Sequence, residues 1–218
     1  MYKKCTNCRL VNYPDAANCV RCEADLVRTA SFAGKSGHFS GIFLRALVCL
    51  CVSVAAVLGF YFSLVVSAAP LNIDQKYKVR QGIRVLSEKG FSTEALLLGN
   101  FTVYRSDDNW LNASVAKENA YAATNFPFEI MTLYSDFFTY PMDDTERAAI
   151  LLHEARHLKG EDEPEAYAFV WKNREKLGWT KDKYLHSNVW VNIRRQTREI
   201  VPDLFTCADK ESGDCTEQ

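Results

Sequence analysis

The sequence predicts an α+β protein in three parts: a small metal-stapled N-terminal module, one transmembrane helix, and a C-terminal domain of mainly helices with a small sheet. Three observations carry that expectation. Four of the eight cysteines lie in the first 22 residues as C-x2-C-x10-C-x2-C, residues 46–69 are 24 consecutive positions without a charge, and helix-capping patterns recur beyond residue 70. The averages hide this division. With 48% hydrophobic residues, 24% charged residues and a formal charge of -1, the chain is neither a disordered segment nor a nucleic-acid-like polycation. That -1 combines +3 over residues 1–41, +1 from Arg45 and -5 over residues 70–218. The expected parts are residues 1–30, a linker at 31–45, the membrane helix at 46–69 and one domain at 70–218, long enough for a core of its own.

Cys5, Cys8, Cys19 and Cys22 form two C-x-x-C knuckles. Four thiolates so spaced can surround one ion tetrahedrally, and a segment this short has almost no core without such a staple. Structural zinc is the expectation; two disulfides are the competing reading. The stretch resembles the Ran-binding-protein type of zinc finger, including Asn12 midway between the knuckles, and also the short zinc ribbons of bacterial N-termini. Arg9, Arg21 and Arg28 read as a solvated face rather than a phosphate-binding patch, so nucleic acid is not an expected partner.

Residues 46–69 form a helix of about 36 Å, enough to cross a hydrocarbon layer of about 30 Å. A signal peptide competes, because Val66-Ser67-Ala68 and Ser67-Ala68-Ala69 look like cleavage sites, but the apolar stretch is too long and its upstream segment carries a whole module. Arg28, Lys35 and Arg45 precede the helix while Lys76, Lys78, Arg80 and Arg84 follow it, so charge does not set the orientation. Thiolate ligands favour a cytoplasmic N-terminus. Cys207 and Cys215 could close a disulfide in an oxidising space, with two free thiols as the other reading. The expectation is a single-pass protein of a bacterial inner membrane with its C-terminal domain outside.

In the C-terminal domain, residues 74–89 read as a helix ended by Gly90, and Ser92 or Thr93 begins a second one through Leu98. A strand is expected at residues 101–104. After the polar turn Ser106-Asp107-Asp108-Asn109, residues 119–131 suit extended structure, with Pro127 confining it to a sheet edge. A strand at 128–133 could bind an extended peptide by edge pairing. The strongest helix spans residues 143–159: Asp143 with Glu146 makes a capping-box-like start, residues 148–152 supply a buried run, and Gly160 ends it. Trp171 to Trp179 are expected to close the core behind that helix, and Lys172, Arg174, Lys176, Arg194, Arg195 and Arg198 to form a solvated basic face.

Within the strongest helix lies His153-Glu154-Ala155-Arg156-His157. Histidines four apart project from one face and can share a zinc ion, while the intervening Glu154 reaches a water activated there. Glu161, Glu163 and Glu165 are all in range as a third ligand. The string from His153 to Glu163, H-E-x-x-H-x-x-G-x-x-E, resembles the metzincin arrangement. The wider region, with Asn119-Ala120-Tyr121-Ala122, a strand, the capped helix and Glu163-Pro164-Glu165-Ala166, is similar to gluzincin peptidases. Both resemblances imply a zincin-like domain with Glu163 as third ligand.

The function so implied is membrane-anchored zinc metallopeptidase activity on a peptide or protein substrate. His153, His157 and Glu163 would hold a catalytic zinc, Glu154 would act as general base, and Tyr184 or His186 could donate to an oxyanion. The alternatives are an inactive zincin-like binding module outside the membrane, or a sensor coupled to the cytosolic zinc ribbon.

Overall fold

The computed structural model describes residues 2–26, 38–112 and 121–206. Cys207, Cys215, Arg28, Lys35 and the Asn119-Ala120 part of the gluzincin-like segment lie outside them. The chain divides into two compact units, Met1–Ala56 and Val57–Gln218, and the architecture is α+β.

In the first unit, β1 (Lys3–Lys4) pairs antiparallel with β2 (Val11–Asn12). Each cysteine pair sits on a tight turn of the same design. Arg9 N–H returns to the Cys5 carbonyl and Glu23 N–H to the Cys19 carbonyl, both at 2.9 Å, with Arg9 and Glu23 in left-handed conformation. Cys5, Cys19 and Leu26 are the buried residues of this small core, which would otherwise be too slight to fold.

Helix α1 (His38–Val66) begins ahead of the uncharged run and contains 26 residues, Gly41–Val66, apolar and long enough to cross a membrane. Beyond Arg45 its exposed large side chains are apolar on every face, including Leu47, Val48, Leu50, Val52, Val57 and Leu58. Helix α2 (Ile73–Glu88) starts on a full capping box between Asn72 and Gln75, and Gly90, at φ 79°, follows its end. Helix α3 (Ser92–Asn100) follows directly.

The sheet holds β3 (Val103–Arg105), β4 (Ala122–Asn125) and β5 (Ile130–Leu133) in the order β3-β5-β4. Strand β3 runs parallel to β5, and β4 antiparallel to it. This corrects the expectation that the segment at 128–133 is an edge: β5 is central and fully buried, and β3 and β4 flank it. Pro127 lies in the turn between β4 and β5, where its missing N–H breaks no ladder.

After the short α4 (Ser135–Thr139), helix α5 (Asp144–His157) runs through the centre of the domain, with Ala148, Ala149, Leu151, Leu152 and Ala155 all fully buried. Helices α6 (Glu163–Leu177), α7 (Lys181–Tyr184) and α8 (Asn188–Ile200), then a 3₁₀ turn (Pro202–Phe205), complete the unit. Trp171, Trp179 and Trp190 pack in mutual ring contact and are at most 1% exposed, closing the core as expected. Arg174 departs from the expected solvated face: it is buried and donates to the Trp171 carbonyl at 2.8 Å.

Candidate metal centres

Cys5 and Cys22 Sγ lie 3.6 Å apart, and Cys8 and Cys19 Sγ 3.5 Å. Four thiolates about 2.3 Å from a central ion would be about 3.8 Å apart along each tetrahedral edge, whereas a disulfide requires about 2.05 Å. The four cysteines therefore suit a metal and not two disulfides. Asn12, nearly buried, explains its place between the knuckles. Its amide donates to Cys19 Sγ at 3.6 Å and its carbonyl oxygen accepts the Val20 N–H at 3.1 Å, steadying one ligand. The Arg21 backbone N–H, above all, lowers the Cys19 thiol to about 6, which favours the thiolate a metal needs.

The second centre is built by two helices and the turn between them. On α5, His153 and His157 stand four residues apart, and their Nε2 atoms approach to 3.1 Å. Gly160, at φ 82°, turns the chain into α6, whose first residue is Glu163. Glu163 Oε2 lies 3.3 Å from His153 Nε2, and its Oε1 3.4 Å from His157 Nε2. Ligand atoms about 2.0–2.1 Å from an ion are about 3.3 Å apart in a tetrahedron; the two histidine nitrogens approach that spacing, and Glu163 meets it with a different oxygen toward each histidine, so the three side chains converge closely enough to share one ion.

The surroundings choose among the three glutamates. Glu161 is taken by Arg156, whose Nε and Nη2 donate to its two oxygens. Glu165 accepts the Asp162 N–H and closes a capping box at the start of α6. Only Glu163 is left to face the histidines. Arg156 is thereby accounted for: it also bonds Glu94 at 3.0 Å and lies over the Phe169 ring at 3.9 Å.

Electrostatics at this cluster favour positive charge beside Glu163. Burial pulls the His157 imidazole down, but the Glu163 carboxylate, the Glu161 carbonyl and the Glu154 charge outweigh it and push it up to about 9. His153 and then His157 hold Glu163 well below the usual carboxylate range. His157 Nδ1 lies 2.9 Å from the Glu161 carbonyl, which can only accept, so Nδ1 carries a hydrogen, and it is the Nε2 proton that a metal ion would displace. The His153 ring is held by Tyr167, 4.4 Å away between centroids.

Glu154 is 5% exposed, and Thr124 Oγ1 on β4 donates to its Oε2 at 2.7 Å. The cleft over the cluster encloses about 290 Å³; Tyr121, Ile150, Tyr167, Val170 and Ile193 wall it beside His153, Glu154 and Glu163. Among the described residues β4 has no second strand partner, and Thr124 on it adjoins Glu154.

The structure does not bring Tyr184 or His186 to this cluster. Tyr184 is fully buried and its hydroxyl donates to Asp143 Oδ2 at 2.8 Å, at the start of α5. His153 lies ten residues further along, about 15 Å of helix. His186 is exposed in the turn just before Ser187, which bonds Glu146 near that same remote end. Tyr167 was readable only as the residue four after Glu163, hence one helical turn away on the same face. Compared with family models, curated proteins and solved structures, the chain matches none of them.

Proposed function

We propose that the C-terminal unit is a zinc-dependent peptidase anchored to a membrane by α1, and that the N-terminal unit is a structural zinc ribbon. The observation that carries this reading is the convergence of His153, His157 and Glu163, with one ligand atom of each within 4.8 Å of the others, and Glu154 buried beside them. A nitrogen- and oxygen-donor set with three protein ligands suits zinc in a site that keeps one position open. The bound ion supplies a Lewis acid that polarises a scissile carbonyl and acidifies a water molecule.

The remaining steps belong to this chain. Glu154 takes the proton from the attacking water and delivers it to the leaving nitrogen. The Thr124 hydroxyl engages Glu154 Oε2 and leaves Oε1 to accept that proton. The outer edge of β4 pairs with an extended substrate and sets it across the cleft, whose apolar wall of Ile150, Val170 and Ile193 takes a hydrophobic side chain. The reducing cytoplasm suits the four thiolates, which places the peptidase outside, as in a bacterial inner-membrane protein.

The test is hydrolysis of a quenched-fluorescent peptide library by the full chain in detergent micelles. Glu154→Gln is expected to lower turnover by about 10²- to 10⁴-fold while the metal content stays unchanged. Equal hydrolysis by wild type and Glu154→Gln would sink the assignment.

A further inference from the structure

The last turns of α1 are built into the C-terminal unit. Arg105 Nε donates to the Val65 carbonyl at 2.9 Å, Trp110 Nε1 donates to Ser63 Oγ at 3.2 Å, and Leu64 is fully buried. Phe60 meets Trp110 edge-on at 5.5 Å between centroids and Phe128 at 5.3 Å. Before this point the helix is bare: residues 42–60 are exposed throughout. As a helix the uncharged stretch from Ala46 to Val66 measures about 32 Å, close to the hydrocarbon thickness of about 30 Å. The boundary of the bilayer that α1 would span therefore falls in its last turns, which Trp110 and Arg105 contact.

Partly exposed apolar side chains lie on the segments next to these turns. Trp110 is 51% exposed, Leu111 40%, and Phe126, in the same turn as Phe128, 58%. Aromatic side chains of this kind favour the water–lipid boundary. Arg105 also lines, with Lys76 and Arg80, a groove of about 480 Å³ beside the end of the helix, a placement suited to phospholipid phosphates.

The metal cleft is tied to this surface. Thr124, which holds Glu154, stands two residues before Phe126, and the Phe126 ring lies beside Gly160 between α5 and α6. Four residues of extended chain from Thr124 to Phe128 span at most about 13 Å. We propose that Trp110, Leu111 and Phe126 insert into the interfacial layer of the membrane that α1 crosses, which fixes the cleft at the membrane surface. Its substrate is then the juxtamembrane segment of a membrane-anchored polypeptide. The substrate class rests on the peptidase reading; the membrane docking does not.

Both parts are tested on the full chain in phosphatidylcholine–phosphatidylglycerol nanodiscs. Trp171, Trp179 and Trp190 are buried, so the fluorescence lost in Trp110→Phe reports Trp110 alone. Quenching of that share by brominated lipid, with protection from aqueous acrylamide, is the expected result. Quenching by acrylamide alone overturns the docking, and protection from both quenchers overturns it too, because a protein partner then covers the face. For the substrate, one peptide is presented free in solution or tethered by an acyl chain to the same nanodisc. Tethering is expected to raise wild-type cleavage by roughly ten-fold or more, and Leu111→Ser to lower that advantage without slowing cleavage of the free peptide. Equal rates for the two forms overturn the substrate class. Cleavage of neither form removes the peptidase reading and the substrate class with it, while the quenching result still decides the docking.

Discussion

Replacing Glu146 by alanine removes an acceptor shared by the Met142 N–H, the Trp179 indole N–H and the Ser187 hydroxyl in a fully buried position. Each stranded donor carries a desolvation cost, so Glu146→Ala is expected to destabilise the unit by about 3 kcal/mol or more, measured by chemical denaturation. The sequence marks Glu146 as half of a capping box, and Asp143 does cap α5 by accepting the Thr145 and Glu146 N–H groups. The reciprocal bond to the Asp143 N–H is not made, because one Glu146 oxygen takes the Met142 N–H and the other turns inward to Trp179 and Ser187, more than 30 residues away in sequence. Such partners have no local signal. The same limit applied to the third metal ligand: spacing admits Glu161, Glu163 and Glu165 alike. What separates them is the aim of Arg156 and the capping of α6, both products of tertiary packing.

Helix α5 holds its place through close contact with α2 and an ion cluster to α3. At Gly82 an added Cβ would come 2.9 Å from Leu151 Cδ1 and 3.4 Å from Arg147 Cβ. Gly82→Val is expected to cost about 1–3 kcal/mol and to lower metal affinity, since α5 must shift to admit it; thermal melts with and without added zinc check both. Glu94 on α3 receives Arg156 and Lys159 from the end of α5 and its C-cap turn. Burial pushes the Glu94 carboxyl up, but its own backbone N–H, Lys159 and Arg156 overcome this and leave it below 4.5. A depressed carboxylate contributes stability in full above about pH 4.5 and loses it as pH falls through the folded value. The Glu94→Gln variant is therefore expected to show a flatter acid limb in a stability–pH curve, with little change in that slope above pH 6. Helices α2 and α5 were legible because their caps and the glycines that follow them are local. Sheet order was not, because β3 pairs with β5 across an intervening strand, and Pro127 marks a turn as readily as an edge.

Over the whole chain, an average composition conceals a cysteine-rich module, an apolar helix and a domain with an acidic excess, and the uncharged run alone made that division readable. The sequence could not show that the end of α1 is part of the folded domain. Leu64, Ser63 and Val65 contact Trp110 and Arg105, which lie some 40 residues downstream, so cutting the chain at residue 70 would remove part of the domain's packing. The central claim is that one chain carries two separate metal centres, one of four thiolates and one of His153, His157 and Glu163. Elemental analysis of the untagged full-length protein tests it most directly, with His153→Ala/His157→Ala and Cys5→Ser/Cys8→Ser measured alongside. The account predicts two zinc ions per wild-type chain and one in each variant. A single zinc in the wild type, lost with the cysteines and indifferent to the histidines, would contradict it.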